Sequence, residues 1–73
     1  MECDFMEVIG KIIKERRGVL GITQRQLAEL AGVAINTLTK IERGEANPSI
    51  KTLILILDTL GLEITIQVKK PRF

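Results

Sequence analysis

The chain has no histidine, no tryptophan and no tyrosine, and only one cysteine and two phenylalanines among its 73 residues. Each shortage closes a route to function. Without histidine, and with Cys3 as the sole thiol, the usual zinc ligand sets and the histidine-paired acid–base or nucleophile arrangements are excluded. Single-stranded nucleic acids are held by stacking bases on aromatic faces, and Phe5 and Phe73 make no such platform. A lone cysteine forms no internal disulfide, which suits a reducing compartment. Long apolar runs are lacking too. The longest, Leu53 to Leu57, has five residues, whereas a membrane span needs ~20. The start (Met1, Glu2, Cys3, Asp4, Phe5) has neither the positive charge nor the apolar run of a signal peptide. The expectation is a cytoplasmic single domain over residues 1–73, with no catalytic constellation, metal, cofactor or membrane contact.

What is present is 45% hydrophobic and 27% charged, a globular composition. Eleven Lys and Arg against nine Asp and Glu leave a net charge of +2, a lean toward polyanions that decides nothing alone. A chain this short buries only about 60% of its unfolded surface. Such a core rarely supplies more than ~3–5 kcal/mol, so self-association is expected.

Apolar residues at Phe5, Ile9, Ile12, Ile13 and Leu20 recur with helical spacing over about 4–20. Gly18 weakens the last turn and Gly21 ends it. Thr23-Gln24-Arg25-Gln26 has the form of a capping box opening a second helix through Leu27, Ala28, Leu30 and Ala31. Gly32 and Val33 separate it from a third helical pattern that starts at Ala34. There Ile35, Leu38 and Ile41 are the apolar positions, and Asn36, Thr37, Lys40 and Arg43 the polar ones. Two short helices across a turn of three or four residues make a helix-turn-helix arrangement. Ser49 caps a fourth helix that runs to Leu60. Ile50, Leu53, Ile54, Leu57 and Leu60 fill one stripe of it, yet Leu55 and Ile56 are apolar as well, so a second surface must cover this helix. Beyond Gly61 the period becomes two: Leu62, Ile64, Ile66 and Val68 alternate with Glu63, Thr65 and Gln67, as in a half-buried strand. No other segment reads as a strand, and a single one cannot satisfy its own ladder. Its simplest partner is the same strand of a second copy, antiparallel across a two-fold axis.

Gly21 to Ala28, Gly32-Val33, Ile41-Glu42-Arg43-Gly44 and Asn47-Pro48-Ser49 together resemble the helix-turn-helix regulators related to phage repressors and Cro (the xenobiotic-response-element type). The match runs over roughly residues 9–60. Leu60 to Ile66 resembles a short subset that ends in a strand and includes antitoxins of kinase-type toxins. The resemblance implies a mainly α, four-to-five-helix repressor-like domain. Residues 4–61 would form the helix-turn-helix bundle, 62–68 a β-strand pairing across a dimer, and 69–73 a basic tail. It also implies that Ile35, Asn36, Thr37 and Lys40 read bases in the major groove, where Asn suits adenine, Lys guanine and Ile a thymine methyl. Gln24 falls where the family contacts phosphate; Arg25, Arg43, Asn47 and Ser49 at its helix N-terminus are further phosphate candidates. Arg17 and Glu42 match a structural ion pair. Leu55, Ile56, Ile64, Ile66 and Val68 are the expected dimer interface.

Plainer roles stand beside these. Thr23 and Gln26 serve as a cap in any helix. Ile35 fits the core as well as a groove, and Arg25, Arg43 and Lys51 fit ordinary surface charge. Ala34 departs from the family's Ser or Thr cap and forfeits ~1 kcal/mol. The expected function is a homodimeric, sequence-specific repressor on double-stranded DNA, in a bacterium or phage. The alternative is an antitoxin that neutralises a toxin protein and regulates its own operon.

Overall fold

The computed structural model describes residues 5–69, and four helices form within them: α1 (Phe5–Leu20), α2 (Gln24–Ala31), α3 (Ile35–Glu42) and α4 (Ile50–Thr59). Residue 4, at which the bundle was expected to begin, and the end of the basic tail (Lys70, Pro71, Arg72, Phe73) lie outside the described residues, as does Cys3. Gly18 does not loosen α1, which continues unbroken to Leu20.

The core is one cluster with contributions from every helix: Ile13 from α1, Leu27, Ala28 and Ala31 from α2, Leu38 and Ile41 from α3, and Leu53, Ile56 and Leu57 from α4, with Leu60 just beyond. Six of these, Ile13, Leu27, Leu38, Ile41, Ile56 and Leu60, are fully buried, and each such side chain contributes about 1.5–3 kcal/mol. Helix α3 packs on α1 and α2, and α2 packs also on α4. The α1–α3 crossing is close because Gly10, buried on α1, has no side chain to hold the backbone of Ile41 and Glu42 away.

Helix α4 differs from its expected orientation. Its buried stripe is Leu53, Ile56, Leu57 and Leu60, an i, i+3, i+4, i+7 set, while Ile50 and Ile54 are 65% and 48% exposed. Ile56 is therefore a core residue with no surface to offer a partner, which removes it from the expected dimer interface. Leu55, at 42% exposure, keeps its place on the outer face.

Residues 62–69 form no helix, and no ladder pairs them within the chain among the described residues. A strand exists only with a ladder partner, and the bundle provides none, so the periodicity of this arm goes unanswered in a single copy. Its root is well anchored. The Leu62 amide donates to the Leu57 carbonyl at 2.8 Å, and Arg16 Nε donates to the Leu60 carbonyl at 2.9 Å. Leu62 packs against the core, but Ile66 and Val68 are 95% and 97% exposed. Among the described residues no helix is long and apolar enough to cross a membrane.

Candidate nucleic-acid interface

Helix α2 is set by local chemistry at both ends. At its entrance Thr23 closes a full capping box: the Gln26 amide donates to Thr23 Oγ1 at 3.0 Å, and the Thr23 amide donates to Gln26 Oε1 at 2.9 Å. Two of the orphan donors at the start of α2 are thereby satisfied, so Thr23 and Gln26 act as a cap. At the exit Gly32 takes the left-handed conformation (φ +75°), which favours glycine. Its amide and that of Val33 both donate to the Ala28 carbonyl, at 2.9 and 3.0 Å. Ala34 then begins α3 with N-cap dihedrals (φ −70°, ψ 142°) and no side-chain bond to the helix. Ala34→Ser should supply that bond and stabilise the domain by about 1 kcal/mol. For a domain of this size that raises Tm by roughly 4–8 °C; an unchanged thermal transition would refute it.

Helix α3 has two faces. Inward lie Ile35, Leu38, Thr39 and Glu42, again at i, i+3, i+4 and i+7, with the fully buried Ile41 beside them. Ile35 is half-buried and packs against the core, which favours its packing role, although its outer edge remains accessible. Outward lie the exposed Asn36, Lys40 and Arg43, one stripe along the helix, with the half-buried Thr37 beside Asn36.

The inner face is held by a polar network around Glu42, whose side chain is only 3% exposed. Arg17 grips it with two bonds, Nε to Oε2 at 2.8 Å and Nη2 to Oε1 at 3.1 Å, and spends Nη1 on the Ile22 carbonyl at 3.0 Å. Gln24 Nε2 donates to Glu42 Oε1 at 2.9 Å. A carboxylate only accepts, so the Gln24 amide must turn its NH2 to Glu42 and its oxygen to Thr39. The Thr39 hydroxyl indeed sits 3.1 Å from Gln24 Oε1 and 2.9 Å from the Ile35 carbonyl, which share its one proton. The hydrogen bond to Glu42 is the main cause that raises the Arg17 pKa above its ordinary value; burial opposes it and the charge of Glu42 adds to it. A raised arginine pKa leaves this stabilisation intact at every pH below the unfolded value, so Arg17 stays charged throughout the working range.

Four side chains on α1, α2 and α3 are thus brought together, and Arg17 with Glu42 ties α1 to α3. Gln24, a phosphate candidate by resemblance, has its carbonyl and one N–H committed internally, which leaves its second N–H for any phosphate. Thr39 was missed because a threonine among polar neighbours reads as surface; its place in the Ile35–Leu38–Glu42 stripe was the available signal. The remaining phosphate candidates take no part in this network. Arg25 and Asn47 are exposed. Arg43 lies 3.8 Å from Glu45 in a pair open to solvent, an arrangement of little energetic weight. The Ser49 hydroxyl caps α4 by accepting from the Thr52 amide at 3.1 Å.

A sequence profile described as helix-turn-helix matches residues 13–67, which takes in the C-terminal half of α1, the α2–α3 pair, α4 and most of the arm. The chain belongs to the helix-turn-helix family. A Haemophilus influenzae protein named as an uncharacterised HTH-type transcriptional regulator is 41% identical over 58 residues, covering 75% of this chain and 59% of its own length. The immunity repressor protein of Bacillus phage phi105 is 39% identical over 57 residues, 78% of this chain and 40% of that one. The chain thus spans only part of these relatives. A crystal structure of a mutant of the restriction–modification controller protein C.Esp1396I superposes with a TM-score of 0.78 at 32% identity, over 86% of this chain and 80% of that one. Family members are DNA-binding transcriptional regulators, and in this helix-turn-helix domain α3 is the second helix of the pair.

Proposed function

We propose that this protein is a sequence-specific, double-stranded-DNA-binding repressor that acts as a homodimer on a palindromic operator. The observation that carries this reading is the two-faced α3. Its inner face is locked to α1 and α2 through Glu42, and its outer face presents Asn36 and Lys40 with nothing from the bundle over them. A helix that enters the major groove must hold its axis rigidly while base-seeking side chains face outward. Asn36 suits adenine N6 and N7, Lys40 suits guanine, and Thr37 and the accessible edge of Ile35 suit a thymine methyl. Arg25, Arg43, Asn47, the free N–H of Gln24 and the α4 N-terminus at Ser49 serve as phosphate contacts that set register. The second copy joins through the arm (Ile64, Ile66 and Val68) and Leu55. Two recognition helices then occupy half-sites about one helical turn, ~10 bp, apart and block polymerase by occupancy. No catalytic residue, metal or cofactor takes part in this mechanism, and it places the protein in the cytoplasm.

Selection from a random duplex library at fixed, physiological salt tests the proposal, since phosphate binding alone varies steeply with salt. Enrichment of a palindrome supports it; a folded protein that enriches nothing overturns it. In the same assay Asn36→Ala should relax preference at one base pair by roughly 1–3 kcal/mol. An equal loss on all sequences would remove Asn36 from the base-reading set.

A further inference from the structure

Between α1, α4 and the root of the arm lies an apolar groove of about 420 Å³, lined by Ile9, Ile12, Ile50, Leu57, Leu62 and Ile64 among others, with Glu63 its one charged neighbour. The arm that forms one wall continues into Ile66 and Val68, which touch almost nothing of their own chain, at 95% and 97% exposure. We propose that the occupant of this groove is the arm of a second copy, paired antiparallel with Thr65 opposite Thr65, so that the partner's apolar side chains close it. This deepens, and rests on, the homodimer proposed above.

The register follows from the pattern of the arm. Residues directly opposite in an antiparallel pair share a face of the sheet, so the even-numbered apolar set must meet itself. A two-fold axis between residues would set apolar against polar and turn the two apolar faces to opposite sides. Centres on a residue remain, and any outside 64–66 fails as the two flanking ones do, only more severely. An axis at Ile64 places Val68 against Leu60, which is fully buried in its own core. An axis at Ile66 places Leu62 against Lys70. Only an axis at Thr65 gives every apolar residue an apolar neighbour: Leu62 faces Val68, and Ile64 faces Ile66. The polar face then sets Thr65 against Thr65 and Glu63 against Gln67, with Glu63 diagonal to Lys69 and within reach of its long side chain. The two fully exposed side chains of one arm thus come to lie beside Ile64 and Leu62 of the other, the two apolar arm residues that already line the groove.

Area points to the same occupant. The exposed apolar surface of Phe5, Ile12, Ile50, Ile54, Leu55, Ile64, Ile66 and Val68 is on the order of the ~800 Å² per partner that a standard stable interface buries. Of these, Phe5, Ile12, Ile50 and Ile64 line the groove itself, and apolar patches of several hundred Å² are uncommon on soluble monomers.

The test is a thiol scan of the full chain in a Cys3→Ser background, with Ile64→Cys, Thr65→Cys and Ile66→Cys made singly. All three positions are exposed, so the fold survives each change, which circular dichroism confirms. Each variant is oxidised, or treated with a short thiol–thiol linker, and its mass is followed by sedimentation. Thr65→Cys is expected to form covalent dimer several-fold faster than its neighbours. In dimers mixed from methyl-labelled and unlabelled copies, Ile66 and Val68 methyls of one copy should show contacts to Ile12 or Ile50 of the other. A dimer that links fastest at residue 64 or 66, or that lacks those methyl contacts, overturns the register and the occupant while sparing the homodimer. A monomer at working concentration, including one that carries an apolar small molecule in the groove by native mass spectrometry, overturns the homodimer itself.

Discussion

Glu42→Ala should unfold a large share of the protein at 25 °C. Glu42 is the acceptor on which Arg17 and Gln24 converge from two other helices, and its side chain is almost wholly buried. Removing one partner of a buried ion pair leaves the other charge uncompensated, at a cost of about 3–5 kcal/mol. That is comparable with the whole stability of ~3–5 kcal/mol expected of a core this small. The measurement is urea unfolding followed by far-ultraviolet circular dichroism. The double variant Arg17→Met/Glu42→Leu separates charge from packing, because a buried pair replaced by apolar groups of similar volume often costs little or nothing. The double variant should therefore recover most of what Glu42→Ala loses. A single variant within ~0.5 kcal/mol of the parent, the range of ordinary surface substitutions, would show that the network does not hold the bundle together.

The features legible in the sequence are those written locally. The Thr23–Gln26 capping box, the Ser49 cap, the uncapped Ala34 and the left-handed Gly32 all depend on neighbours within a few residues, and all are in place. Helix α4 is different. With Ile, Leu and Ile, Leu again at successive positions, apolar periodicity carries almost no phase, so nothing local says that Ile56 turns inward and Ile54 outward. Only packing against α2 decides it. The Glu42 network was half legible: the resemblance pointed to Arg17 and Glu42, whereas the link through Gln24 to Thr39 depends on how two helices cross. The arm shows the opposite failure. Its alternation is plain from Leu62 to Val68, but the ladder that would use it is not in this chain. Gly10 is the most hidden. A glycine early in a helical stripe reads as a mild helix weakener, and its importance comes entirely from the backbone that crosses it.

That hidden role makes Gly10 the source of the second large effect, with Gly18 in the same helix as its internal control. A Cβ at residue 10 would collide with the Ile41 carbonyl oxygen and would lie 2.9 Å from that of Glu42 and 3.1 Å from its carbonyl carbon. These are backbone atoms in the last turn of α3, and the Ile41 carbonyl is already accepting from the Gly44 amide at 3.0 Å, so no side chain can swing aside. Overpacking of this kind costs about 1–3 kcal/mol, more than the ~1 kcal/mol that alanine returns in helix propensity. At Gly18 nothing lies within 4 Å, so Gly18→Ala should collect the propensity gain and raise stability. Two chemically identical changes, eight residues apart on one helix, should therefore shift the urea midpoint in opposite directions. The consequence extends to DNA. Gly10→Ala can be accommodated only if α3 moves off α1, and that tilts the stripe of Asn36 and Lys40. Operator affinity should then fall for Gly10→Ala even where the protein remains folded, and stay unchanged for Gly18→Ala. Equal midpoint shifts of the same sign would show that helix propensity governs both sites. In that case the α1–α3 crossing would not be the constraint that orients the recognition helix.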